Sequence, residues 1–134
     1  MRTEGQRLKH ILKYQFPPLL WLIFIFFLSS WSAFATLQSP KGLDKVFHAI
    51  MWFVLCLLTR RAFFFQERFG WLRRHDIWVA LMATTLYAGV DEYYQSFVPA
   101  RTSDIADVVA DFTGALLFVL LFHSVGRLRR RREN

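Results

Sequence analysis

Residues 91–114 read DEYYQSFVPARTSDIADVVADFTG. Charged and amide side chains crowd the junction of two apolar runs, from about Ile77 to Val98 and from about Ile105 to His123. Asp104, Asp107, Asp111 and Gly114 are spaced by three, four and three residues, which places them on one face of a helix. Asp91 and Gln95 form an i, i+4 pair, and Glu92 and Gln95 an i, i+3 pair. A charge at the centre of a lipid-facing helix costs about 2.5–3.5 kcal/mol. These residues must therefore face one another, water or a ligand, and by default they mark a functional site.

Two further apolar runs precede this stretch, from about Phe16 to Leu37 and from about Val46 to Phe64. Each of the four is near the ~20 residues that cross the hydrocarbon core. The expected fold is all-α: a polytopic membrane protein with four transmembrane helices in a small bundle. Residues 1–15 read as a basic cytoplasmic N-terminus, 16–123 as the membrane domain and 124–134 as a basic cytoplasmic tail. The composition agrees, with 54% hydrophobic residues, 15 Phe and 5 Trp among 134 residues, more than a small soluble core can hide. Cys56 lies in an apolar run, with no second Cys for a disulfide or a CxxC metal site.

The net charge of +7 is unevenly spread. Of 17 Lys and Arg, 14 fall before the first run, around the connection between the second and third, or after the fourth, leaving only Lys41, Lys45 and Arg101. The positive-inside rule places both termini in the cytoplasm. Basic residues are not interleaved with aromatics on a periodic face, so no nucleic-acid partner is expected. Ala33-Phe34-Ala35 fits a signal-peptidase site. However, the run before it has the length of a full span, and a retained helix is the expectation. The connection around Gln66–Asp76, with Phe65, Phe69 and Trp71 among arginines, suits a short amphipathic segment at a membrane interface.

With that topology, Asp44, Lys45 and His48 open the second span, Asp91, Glu92 and Gln95 close the third, and Asp104, Asp107 and Asp111 open the fourth, all in the outer leaflet beside Arg101. Gly114 on the acidic stripe predicts close approach by another helix, a role Ala88 and Gly89 can play on the third span. Thr102-Ser103-Asp104 supplies capping groups for the fourth, so Asp104 reads equally as cap and as site residue.

The opening of the second span, Asp44-Lys45-Val46-Phe47-His48, resembles the D-K-x-x-H of VanZ-like membrane proteins. Residues 91–114 resemble that family's D-E-x-x-Q, then Arg, then D-x-x-x-N-x-x-G. Asp111 stands where the pattern usually has Asn, and Leu116, Leu117 and Phe118 occupy the region where a further glycine is often found. The resemblance implies a bacterial cytoplasmic-membrane protein of a family whose founding member is linked with low-level teicoplanin resistance. It implies no known reaction.

Three readings of the site stay open. In the first, Lys45 and Arg101 neutralise acids and lock helix packing. Yet six acids meet two permanent cations and one histidine, so two or three must be protonated, hydrated or holding a cation. In the second, His48 with Asp91, Glu92, Asp107 and Asp111 supplies N and O ligands to a divalent metal, although no tight ligand spacing assigns one. In the third, His48, Asp91, Glu92 and Asp107 carry acid–base chemistry, with His48 oriented by Asp44 or Asp91. Lys45, Arg101, Gln95, Asp44 and Asp111 then bind the substrate, the two cations holding a phosphate or carboxylate. Tyr93, Tyr94, Phe97 and Trp31 would line the entrance from the bilayer. The expected function is binding, and modification, of an amphiphilic cell-envelope molecule such as a lipid headgroup or a lipid-linked intermediate. A small proton-coupled or lipid transporter and a non-catalytic scaffold are the alternatives. Membrane lipid is the expected partner, a homo-oligomer is compatible with the aromatic faces, and no cofactor is assigned.

Overall fold

The computed structural model describes residues 3–31, 42–99, 101 and 103–133, of which 129–133 are described by backbone alone. The Ala33-Phe34-Ala35 motif, the end of the first run, Thr36, Ser39, Lys41 and Thr102 lie outside the described residues. All regular structure among the described residues is helical: α1 (Glu4–Tyr14), α2 (Phe16–Ser30), α3 (Leu43–Phe65), α4 (Gly70–Arg74), α5 (Asp76–Gln95) and α6 (Ile105–Glu133).

The N-terminal fifteen residues contain a helix that the sequence reading did not anticipate. Thr3 and Gln6 form a reciprocal capping box that starts α1. Leu8, Ile11 and Leu12 then make an apolar stripe, exposed on its surface. Pro17 and Pro18 tolerate the first turn of α2, where backbone N–H groups lack intrahelical partners. The chain bends by 40° between α1 and α2.

The most extensive helix contact is between α3 and α6, with α5 packed against both and α2 laid more loosely on α3 and α5. Small residues permit the close packing. A Cβ on Gly114 would lie 1.9 Å from the Ala49 carbonyl oxygen, and Ala80, Ala88 and Ala115 are fully buried. The expected close approach at Gly114 and Ala88 is found, whereas Gly89 points into open space. One core cluster joins Cys56, Ile77, Leu81, Phe118 and Val119 with Ala80 and Ala115; a second joins Ile25, Trp52, Leu55 and Ala88. The buried indole of Trp52 donates to the Thr84 carbonyl at 3.0 Å.

Outward faces are apolar: Phe27, Leu86, Ile105 and Leu120 are each more than half exposed. By length and composition, α3 and the Ile105–Leu128 part of α6 are long and apolar enough to cross a membrane, and α1 with α2 passes as one bent pair. Two helices, or three segments with that pair, thus pass by length and composition among the described residues, of the four expected. By itself α5 does not qualify, because Asp91 and Glu92 lie in its last turns.

Candidate functional site

A cavity of about 80 Å³ lies between α2, α3 and α5, bordered by His48, Asp91, Gln95, Arg101, Ser29 and Trp52, with Ile25, Leu28, Phe47 and Met51 as its apolar part. That volume holds a few waters or one small polar group. His48 projects from the second turn of α3, and its Nδ1 lies 2.9 Å from Asp111 Oδ1 on α6. Its ring stacks on Trp52, with centroids 5.9 Å apart and planes at 15°. Asp111 is 1% exposed, so the carboxylate is committed to the imidazole. His48 Nε2 has no partner among the described residues.

Across the cavity, Asp91 Oδ2 accepts from Ser29 Oγ at 2.7 Å and from Gln95 Nε2 at 2.9 Å. The expected i, i+4 pair is thus formed, and Ser29 of α2 completes it. Arg101 donates from Nη2 to the Leu28 carbonyl at 2.7 Å and from Nη1 to Gln95 Oε1 at 3.3 Å. Its Nε is buried without an acceptor.

A second group sits beside this cavity. Lys45 Nζ donates to Asp107 Oδ1 and, at 2.8 Å, to Asp104 Oδ2, and lies 3.3 Å from Asp44 Oδ2. Asp104 also accepts from the Ala106 N–H at 2.9 Å, as an N-cap does, so it is both cap and ion-pair partner. The Lys45 ammonium holds its carboxyl below the ordinary aspartate range. Buried Glu92 accepts the backbone N–H of Asp104 and so fastens the end of α5 to the start of α6.

The sequence profile of the VanZ/LLP1 family matches residues 14–126, which include every residue of both groups. The chain belongs to the VanZ/LLP1 family. A protein of Schizosaccharomyces pombe described as uncharacterized protein C11E3.10 is 30% identical over 105 residues, covering 75% of this chain and 61% of the relative's length. The chain therefore spans less than two thirds of that relative. No solved structure matches it significantly.

In this VanZ/LLP1 protein, the nine expected site residues divide between the two groups. His48, Asp91, Gln95 and Arg101 border the cavity, with Asp111 behind His48. Lys45, Asp44 and Asp107 form the ion-pair knot, and Glu92 serves the backbone. The partner that orients His48 is Asp111, not Asp44 or Asp91; Asp44 is turned outward at the start of α3. A carboxylate in place of the family's usual Asn therefore gives the imidazole a hydrogen-bond partner that becomes an ionic one when the ring is protonated. The acids left over by a tally of cations are met by neutral donors: a serine hydroxyl, an amide and a backbone N–H. Among the described residues, no three His, Cys, Asp or Glu side chains are grouped so as to hold a metal ion. Tyr93, Phe97 and Trp31 are largely exposed, and Tyr94 packs on Phe26, so none of the four borders the cavity.

Two features of the VanZ/LLP1 chain escaped the sequence reading. Ser29, one of two adjacent serines in an apolar run, contacts the central carboxylate. At the opposite end of the bundle, Arg60 Nε lies 2.7 Å from Asp76 Oδ2, and the guanidinium lies between the rings of Phe64 and Phe122, at 4.7 and 4.4 Å. Asp76 opens α5 and is buried, so it needs this cation.

Proposed function

We propose that this protein crosses the bacterial cytoplasmic membrane four times with both termini inside. Its His48–Asp91–Arg101 cavity, near the outer leaflet, binds the polar headgroup of an amphiphilic cell-envelope molecule, a lipid or a lipid-linked intermediate. The observation that carries this reading is the cavity itself: an imidazole, a carboxylate, an amide and a guanidinium border one small space. The unpartnered Nε–H of Arg101 is a donor suited to a phosphate or carboxylate oxygen. His48, oriented from behind by Asp111, can exchange a proton with the bound group. The space takes a small polar group only, and the apolar remainder of the ligand lies along Phe47, half exposed on α3.

A scaffold role suits the Lys45 knot, in which one ammonium contacts three carboxylates and ties α3 to the start of α6. It does not account for the cavity. A carrier role has against it the Ile25–Trp52–Leu55–Ala88 cluster, which fills the bundle on the next turns.

The test uses a teicoplanin-susceptible bacterium expressing the full chain. Wild type raises the teicoplanin concentration needed to stop growth, and His48→Ala and Asp91→Asn, present in the membrane at equal levels, do not. Full protection by both variants overturns the proposal.

A further inference from the structure

At the end of the bundle opposite His48, α1, the end of α3 and α4 enclose a groove of about 660 Å³. Arg7, His10, Gln15, Arg68, Phe69 and Leu72 line it, with Glu67 also present. The groove has fixed walls. His10 Nε2 lies 2.8 Å from the Phe65 carbonyl, Tyr14 stacks on Phe65 at 4.1 Å, and Gln15 Nε2 donates to the Ala62 carbonyl at 3.0 Å, which together hold α1 against α3. On the other side, Gln66 Oε1 accepts the N–H groups of Arg68 and Phe69 at 2.9 and 2.8 Å, while its Nε2 donates to the Phe69 carbonyl at 2.6 Å. One side chain thus sets the loop that presents Arg68.

The surroundings are amphipathic. Leu8, Ile11 and Leu12 on α1, with Phe69 and Trp71 at α4, are exposed apolar groups of the kind that sit at the headgroup boundary. Lys9 and Lys13 share α1 with Arg7, and Arg73 and Arg74 lie on α4 after Arg68, so the two segments carry more positive charge than Glu4 and Glu67 offset. From this combination we infer that the groove binds an anionic phospholipid of the leaflet at the basic end of the bundle. Arg7 and Arg68 hold the phosphate, and the apolar rim takes the first carbons of the acyl chains. Guanidinium groups suit a phosphate through paired N–H donors, and the surplus positive charge selects anionic over zwitterionic headgroups. This site is independent of the His48 cavity.

The experiment reads phospholipid retained by the full-length protein in native mass spectrometry, after release from nanodiscs of phosphatidylcholine containing a minor share of phosphatidylglycerol. Wild type retains phosphatidylglycerol preferentially. Arg7→Glu/Arg68→Glu is expected to weaken retention by about tenfold or more, while Arg7→Lys/Arg68→Lys keeps most of it. Leu72→Trp, which fills the groove without changing charge, is expected to lose it as well. Arg127→Glu, which reverses a charge outside the groove, should leave retention unchanged. Undiminished retention in Leu72→Trp, or an equal loss in Arg127→Glu, overturns the inference; if the charge-reversed double variant does not fold, Leu72→Trp decides alone.

Discussion

His48 Nδ1 and Asp111 Oδ1 are 2.9 Å apart, although they lie 63 residues apart in sequence and on different helices. The contact depends on α3 and α6 approaching closely enough for a buried carboxylate to reach the imidazole. Asp111→Asn keeps an acceptor for an Nδ1–H and is expected to change stability by less than about 1 kcal/mol. Asp111→Leu leaves the nitrogen without a partner and is expected to lose about 1–3 kcal/mol. Thermal unfolding in detergent separates the two variants.

The same approach makes a prediction about glycines. Gly114→Ala places a methyl group against the Ala49 carbonyl, which is backbone and cannot swing aside, so a loss of about 3 kcal/mol or more is expected. At Gly89 there is nothing within 4 Å of the added Cβ, and Ala is the better helix former. Gly89→Ala should be neutral or stabilise by up to about 1 kcal/mol. Unfolding measured on both variants side by side checks the contrast.

Ser29 and Asp91 should behave as one unit. Ser29→Ala removes a hydroxyl donor from a buried carboxylate, for an expected cost of about 1.5–3 kcal/mol. In a double-mutant cycle with Asp91→Asn, the two changes should couple by about 1 kcal/mol or more. Additive effects would mean that the hydroxyl does not support the carboxylate.

Removing Arg60 strands a buried aspartate at the far end of the bundle. Arg60→Ala is expected to destabilise by about 3 kcal/mol or more, and Arg60→Met/Asp76→Leu to recover most of that loss. In the teicoplanin test of the proposed function, the double variant should match wild type, since the pair lies away from the His48 cavity.

The proposed topology is checked by labelling. In a Cys56→Ser background, a cysteine at Ser103 should react with a membrane-impermeant maleimide in intact cells, and cysteines at Gly5 and Glu67 only after permeabilisation. Labelling of Glu67→Cys from outside would break the four-span arrangement.

The parts of this fold that could be read from the sequence are those written in helical spacing. Asp107, Asp111 and Gly114 share a buried face as their intervals predict, and Gln95 meets Asp91 one turn away. Partners between helices could not be read that way. Ser29 lies 62 residues from Asp91, and in sequence it has the same appearance as its neighbour Ser30, which bonds the Phe26 carbonyl of its own helix. Arg60 and Asp76 stood beside a basic connection, where charge was read as a topology signal and not as a pair. Gly89 was grouped with Gly114 by composition, but the two glycines face opposite surroundings. The capping box of Thr3 and Gln6, followed by Leu8, Ile11 and Leu12, was a legible start to α1, passed over because the surrounding residues are basic.

The looser seating of α2 has a mechanical consequence. Near the cavity its ties are Ser29 to Asp91, Leu28 to Arg101 and Ser30 to Tyr94, with Trp21 bonded to the Met51 carbonyl further along. The first two of those latches, Ser29 to Asp91 and Leu28 to Arg101, belong to the site itself. Any group that competes for Asp91 or Arg101 also loosens the helix that walls it in, so occupancy and the seating of α2 cannot change separately. The bundle of α3, α5 and α6 serves as a fixed jamb, and α2 is the leaf hung on it.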